Sequence, residues 1–388
     1  MNVWYFFCGC ILLGTLKADI CSQLQESLSL RLPGGSRAER RFCRGLYWSG
    51  DRGTSHICVT IDEDNPDCPT DRPVTLAEAF ALMLETSGMA SCGTCAGAPV
   101  AAEPAYEIIA FGDWGVPKHP EYLIPTADLI RSWYSSVDAV FLLGDNFYPR
   151  GINVSLGVRD PAFNLFSDIL APSTSAKFHV IFGNHDYMGS PDAQIEYSNH
   201  HPQWIFPRPY YFKSFRSPVG RICSWFLDTD EGRFDADQAR WLNHTLRDEA
   251  SNCAFLLVNG HHPVYDGGEY RSNQHLIDHL LPILTFHKVH LYIAGHEHQS
   301  QILQSPDLPT TFLIAGAISD MRPPKSKGHE FLKFINMKNE AILHLGFFED
   351  KIDFSFIPSS FEKRRRSEPP KPLASGTVYK IWSSGVVV

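Results

Sequence analysis

The sequence predicts a layered α/β domain. Three observations carry this expectation. Five short apolar runs of strand length recur from residue 106 onward, helical stretches separate them, and each run stops at a glycine followed by polar residues.

The runs are EIIAF (107–111), DAVFLL (138–143), KFHVIF (177–182), CAFLLV (253–258) and VHLYIA (289–294). Helices are predicted over 125–135, 161–170, 235–249 and 272–286, with Asp235 as an N-cap and Trp241 and Leu242 facing inward. After Gln304, the runs TTFLIAG, FLKFINM and AILHLGFF read as further strands without intervening helices. Ahead of this domain, residues 3–16 form an apolar run followed by Lys17, Ala18 and Asp19, which predicts a signal peptide over 1–18. Residues 19–104 form a cysteine-rich extension and linker with one helical stretch at 75–86, residues 105–360 the main domain, and residues 361–388 a disordered basic and proline-rich tail.

Composition narrows the function. The chain has 388 residues, 44% of them hydrophobic, and a formal charge of −9. That charge disfavours nucleic acid and anionic membrane as partners. No apolar run after the first reaches the ~18 residues of a spanning helix, so no stable membrane insertion is expected once the signal is removed. Of the 10 cysteines, Cys8 and Cys10 fall in the signal. The eight that remain, six of them before residue 96, read as disulfide partners in an oxidising compartment. The sequons at Asn153 and Asn243 agree with a secreted or lumenal glycoprotein, such as one in an acidic vesicle. A monomer is expected.

The chemistry lies where the runs end. The clusters are Gly112-Asp113-Trp114-Gly115, Gly144-Asp145-Asn146-Phe147-Tyr148, Gly183-Asn184-His185-Asp186, Gly260-His261-His262-Pro263 and Gly295-His296-Glu297-His298. Carboxyl ends of parallel strands share one sheet edge, so five such clusters can converge on one cavity. Carboxylate and phenolate oxygens suit a hard trivalent ion, whereas imidazole and amide oxygen suit a divalent first-row metal. Two metals about 3.5–4 Å apart need a shared ligand, and a carboxylate such as Asp145 can bridge. In His296-Glu297-His298 each histidine can serve a different metal, with Glu297 as a spacer.

The order GDxG, GDNFY, GNHD, GHHP, GHEH resembles the calcineurin-like metallophosphoesterase family. Tyr148, three residues after Asp145, narrows the resemblance to purple acid phosphatases. The stretch from Ile108 to Ile357 is similar to their small tartrate-resistant type, including Gln194-Ile-Glu-Tyr197, Trp204-Ile-Phe-Pro207 and Leu227-Asp-Thr229. The resemblance implies a four-layer fold, a central β-sandwich flanked by helices, with a binuclear site at the strand carboxyl ends. It implies that Asp113, Tyr148 and His298 bind Fe(III), that Asp145 bridges, and that Asn184, His261 and His296 hold a divalent partner, Fe(II), Zn or Mn. His185 would face the substrate phosphate as the catalytic acid, and His262 would be a loop residue. The implied activity is acid hydrolysis of phosphate monoesters, with metal-bound hydroxide as nucleophile. Where that type carries a further acid–base histidine, this chain has Tyr270, with Glu269 and His275 nearby. Two alternatives stand beside this reading: a catalytically silent phosphatase-like scaffold, disfavoured because no expected ligand is missing, and a di-Zn or di-Mn phosphodiesterase or nucleotidase, disfavoured by Tyr148.

Overall fold

The computed structural model describes residues 103–268, 270–323, 328–359 and 370–380, together with the backbone of four short strands nearer the start. The chain divides into two units, residues 1–102 and 103–388. In the first, β1 (Tyr5–Phe7) pairs antiparallel with β2 (Cys10–Leu12), and β3 (Gly45–Asp51) with β4 (Thr54–Thr60). The remainder of the expected signal segment and extension, including the helical stretch at 75–86, lies outside the described residues.

The second unit is built on two seven-stranded mixed sheets. The strands of the first are β5 (Tyr106–Phe111), β6 (Ala139–Leu142), β7 (Lys177–Val180), β8 (Trp204–Ile205), β16 (Ala341–Phe347), β17 (Lys351–Pro358) and β18 (Ala374–Tyr379), in the order β18-β17-β16-β5-β6-β7-β8. Those of the second are β9 (Tyr211–Ser217), β10 (Gly220–Phe226), β11 (Phe255–Asn259), β12 (Leu291–Ala294), β13 (Ser300–Leu303), β14 (Thr311–Ala315) and β15 (Leu332–Asn336), in the order β15-β13-β14-β12-β11-β10-β9. β5 to β8 run parallel, as do β10, β11, β12 and β14, so each sheet gathers several carboxyl ends on one edge.

Alternation along the strands builds two cores. Ile222 and Phe226 of β10, Phe255 and Leu257 of β11, and Leu291 and Ile293 of β12 join Ile109, Phe141 and Phe178 of the first sheet in one cluster. The residues between them, Cys223, Trp225, Leu256, Val258 and Tyr292, join Leu242, Leu246, Leu276 and Leu284 in the other. These leucines come from α3 (Ala236–Glu249), α4 (Gln274–His279) and α5 (Leu281–Phe286), which cover the outer face of the second sheet. On the first sheet, α1 (Ile124–Trp133) buries Ala127, Leu129 and Ile130. The short α2 (Pro191–Glu196) follows β7.

The expected fold class, an α/β sandwich with flanking helices, is the one observed. Asp235 caps α3 through the amides of Asp237 and Gln238. Three expectations change. The 161–170 stretch is a 3₁₀ turn followed by a π-helical turn over Leu165–Leu170 rather than an α-helix. The 272–286 helix is split in two, with Pro282 in the first turn of the second piece, where its missing N–H costs least. The tail reading of 361–388 is corrected at residues 374–379, which form β18 against the free edge of β17. Backbone pairing supplies what the short, polar side chains of that strand do not. Cys223 of β10 is disulfide-bonded to Cys253 just before β11.

Candidate metal centre

Each of the five clusters leaves its strand at the shared edge and turns sharply. Gly144 has φ +86°, and a Cβ there would lie 2.7 Å from the Gly183 amide nitrogen and from Nδ1 of His261. Only glycine fits. Asp113, Asp145 and His296 also take positive φ, at 59°, 50° and 69°, a conformation costly for residues with a side chain. The loops are tied to one another within each sheet and across the sandwich: Asp113 N donates to the Gly144 carbonyl (3.1 Å), Gly295 N to that of His261 (3.0 Å), and, between the sheets, Gly112 N to that of Ala315 (2.8 Å).

All seven expected donors meet, in two sets. In one, the Tyr148 hydroxyl lies 2.9 Å from Oδ1 of Asp113, 2.8 Å from Oδ2 of Asp145 and 3.1 Å from Nε2 of His298. In the other, Oδ1 of Asn184 is 3.2 Å from Nε2 of His261 and 3.1 Å from Nδ1 of His296. Those two nitrogens are 3.2 Å apart. Asp145 stands between the sets, with Oδ2 toward Tyr148 and Oδ1 3.6 Å from Nε2 of His261. His296 and His298 do fall in different sets.

The protons do not suffice for so many acceptors. His261 Nδ1 faces the Leu143 carbonyl at 2.8 Å and His298 Nδ1 that of Asp320 at 3.0 Å, so each donates there and turns an unprotonated Nε2 inward. The phenol has one hydrogen for three neighbours. Burial, followed by the Asp145 charge, pushes Asp113 well above the usual carboxylate range, and burial also raises Asp145. Burial, then the Asp113 and Asp145 charges, drives Tyr148 up; burial and neighbouring imidazoles drive His261 and His296 well down. A cation at the centre would bring the raised carboxyls and phenol back down and would favour the same neutral imidazoles, and oxygen and imidazole lone pairs converging in this way fit metal ions.

His185 lies at the rim. Its Nδ1 is 2.6 Å from the Pro149 carbonyl, its amide donates to Oδ1 of Asp145 (2.8 Å), and Nε2 is 3.9 Å from Oδ2 of Asp145. Its ring lies against that of Tyr148, with centroids 4.4 Å apart.

Several residues that support the centre were not assigned a role from sequence. Buried Asp186 accepts hydrogen bonds from the amides of Asn146, Phe147 and Gly183 and from the side chains of Asn146 and Gln194. It thereby fastens the second motif to the third. Burial and the Asp145 charge raise its pKa to about 7. Asn146 Oδ1 in turn accepts from the Trp114 indole (3.0 Å), which links the first motif. Glu297 is more than a spacer: it is fully buried and accepts the Tyr270 amide (3.0 Å). That bond helps seat the Tyr270 ring on His296, with centroids 4.8 Å apart, while Arg322 donates to its hydroxyl (3.2 Å). Arg322 sits beyond the last motif, where nothing in the sequence signals it. His275 is elsewhere, on α4 against the Phe234 carbonyl, and Glu269 is outside the described residues.

A two-sheet α/β sandwich with this buried oxygen and nitrogen donor cluster at its parallel-strand edge defines a class, that of metal-centred phosphoester-cleaving folds. The sequence profile of calcineurin-like phosphoesterases matches residues 106–300. The chain belongs to the calcineurin-like phosphoesterase family. It is 32% identical over 262 residues to tartrate-resistant acid phosphatase type 5 of Sus scrofa, covering 60% of this chain and 75% of that protein. It is also 32% identical over 202 residues to purple acid phosphatase 7 of Arabidopsis thaliana, covering 46% and 60%. Among solved structures, GAP50, described as the anchor in the inner membrane complex of Plasmodium, superposes with a TM-score of 0.60 at 21% identity, over 72% of this chain and 90% of that one. Purple acid phosphatase PPD1 from yellow lupin superposes at 0.50 with 15% identity, over 70% and 53%. These two likenesses are likenesses of fold.

Proposed function

We propose that this protein is a binuclear-metal acid phosphatase acting on phosphate monoesters. One observation carries the reading: seven donors of the right chemistry meet in two sets joined through Asp145, in a chain whose relatives are acid phosphatases. Asp113, Tyr148 and His298 hold ferric iron, Asn184, His261 and His296 hold a divalent partner (Fe(II), Zn or Mn), and Asp145 is shared. When bound, a metal pair held by these residues would supply positive charge against the phosphate and Lewis acidity toward water.

The chain's own residues do the rest. The Leu143 and Asp320 carbonyls fix the tautomers of His261 and His298, keeping Nε2 of each as a donor of electrons. His185 is the acid. The Pro149 carbonyl holds its Nδ1 and fixes the ring, which leaves Nε2 as the atom that can meet a phosphate oxygen. Tyr270, in the place of a second histidine, narrows the mouth beside His296 without offering an imidazole there.

The scaffold reading is not favoured, since all seven donors are present and together. The Cys223–Cys253 disulfide supports a secreted or lumenal protein with a cleaved signal, and the sequon at exposed Asn153 supports its glycosylation. No helix among the described residues is long and apolar enough to cross a membrane. The protein is proposed to act as a monomer.

The test is release of phosphate from an aryl phosphate at acid pH, with chelator as control, alongside metal quantification and a visible spectrum. Two metals per chain, chelator-sensitive turnover and a charge-transfer band that disappears in Tyr148→Phe are expected. A colourless, iron-free and fully active protein would remove the ferric assignment. A metal-loaded but inert one would remove the phosphatase.

A further inference from the structure

The donor cluster holds one more imidazole than the seven side chains account for. One ring nitrogen each of His261, His262 and His296 lies within 4.8 Å of the other two. The His262 ring centroid is 4.3 Å from that of His296 and 5.0 Å from that of His261. Nδ1 of His262 is buried and has no hydrogen-bond partner. Leaving such a nitrogen unpaired costs its desolvation without return, and in a native fold it calls for a reason such as an ion.

An orphaned nitrogen alone is not a site, as His179 illustrates. Its Nδ1 is equally unpaired, yet it lies in the core among the rings of Phe141, Phe215 and Phe226. His262 differs in its company and in how it is held. Its amide donates to Oγ1 of Thr229 (2.9 Å) and its carbonyl accepts from the Tyr292 hydroxyl (2.7 Å). Thr229 follows β10 and Tyr292 lies on β12, so the backbone on both sides of the ring is pinned to the second sheet. The ring is presented to the cluster by the scaffold rather than by a free loop.

We infer that His262 is a third imidazole donor to the cation held by Asn184, His261 and His296, an assignment that rests on the binuclear reading above. It departs from the expectation that His262 is a loop residue only. The half-site then offers three imidazoles, one amide oxygen and the shared Asp145 carboxylate. The Tyr148 half offers one imidazole against a phenol and two carboxylates. Nitrogen-rich sites favour zinc and its neighbours late in the first row, whereas oxygen-rich sites suit manganese and magnesium. The second cation is therefore expected to be zinc in preference to manganese, selected by a residue adjacent to an accepted ligand position.

The experiment uses the full chain stripped with chelator and titrated calorimetrically with Zn²⁺ or Mn²⁺. In His262→Ala, Zn²⁺ affinity at the second site should fall about 10- to 100-fold and Mn²⁺ affinity less. His262→Gln, which keeps a polar group of similar reach, should fall between Ala and wild type. Pulsed electron paramagnetic resonance on Cu²⁺-loaded wild type counts coordinated imidazoles without any variant: three at this half-site support the assignment, two overturn it. Zn²⁺ affinity within twofold of wild type in both variants overturns it as well. So does weakened binding of inorganic phosphate with Zn²⁺ affinity intact, which would make His262 an anion contact. A wild-type chain that binds no metal would bring down the binuclear reading itself, a result distinct from the others.

Discussion

The two halves of the donor cluster share a sheet edge and a carboxylate but differ in character. Around Tyr148 the neighbours are mostly oxygens, and Asp113 and His298 are buried almost completely. Around His261 they are mostly nitrogens, and Asn184, His262 and His296 retain partial exposure. The difference follows from which strand supplies which residue. The oxygen half takes Asp113 and Tyr148 from the loops after β5 and β6, central strands of the first sheet. The nitrogen half takes His261 and His296 from the ends of β11 and β12 in the second. Enclosure does not separate the halves cleanly, since His261 is fully buried and Tyr148 half-buried.

The sharpest way to break that comparison is Asp145→Asn, because both halves depend on this carboxylate. Turnover should fall on the order of 10³-fold, equivalent to about 4 kcal/mol, and both metals should be lost together on metal analysis. Stoichiometric retention of one metal would show that the halves are independent. Next in size, His185→Ala should lower the rate about 10²-fold while both metals stay in place. Loss of metal there would make His185 a ligand and move the boundary between the halves.

A smaller effect tests what holds the halves in register. Asp186→Asn sets an amide donor among groups that all donate to Asp186, and should lower stability by about 2–3 kcal/mol in denaturant unfolding. An unchanged midpoint would mean that the loops position themselves. The smallest effect separates the site from the protein beneath it. Burial, then Lys380, lowers the His290 pKa to about 4, so below about 6.5 the unfolded chain takes up a proton that the folded one refuses. This group therefore subtracts stability progressively as pH falls from about 6.5 toward 4. His290→Asn should flatten the loss of stability between pH 7 and 5 without changing metal content. Asp228, whose pKa burial raises to about 6, works in the opposite direction in both proteins and cancels from the comparison.

What was legible in the sequence was legible for a physical reason. Apolar runs ending in Gly and a donor mark parallel strands leaving a shared edge, and that edge leaves the donors little choice but to meet. The meeting of the five clusters follows from this, whereas the choice of seven donors among them came from the family resemblance. The strand over Ser300–Leu303 did not announce itself, since half of it is Ser and Gln, buried by pairing and side-chain hydrogen bonds rather than by apolarity. β18 was hidden likewise by Ser, Gly and Thr in a proline-rich context. The Asp186 hub and the Tyr270–Arg322 contact escaped because their long links are tertiary: Asp186 reaches Asn146 across 40 residues and Arg322 reaches Tyr270 across 52, and a side chain's partner at that distance has no local signature.

Three of the donors, Asp113, Asp145 and His296, occupy backbone conformations in which a residue without a side chain would be more comfortable. Chemistry and conformation therefore pull against each other at these points. A substitution to glycine would relax the main chain while erasing a donor, so the fold gives such a loss little resistance. At these three positions loss of the donor and loss of the fold are therefore separable events.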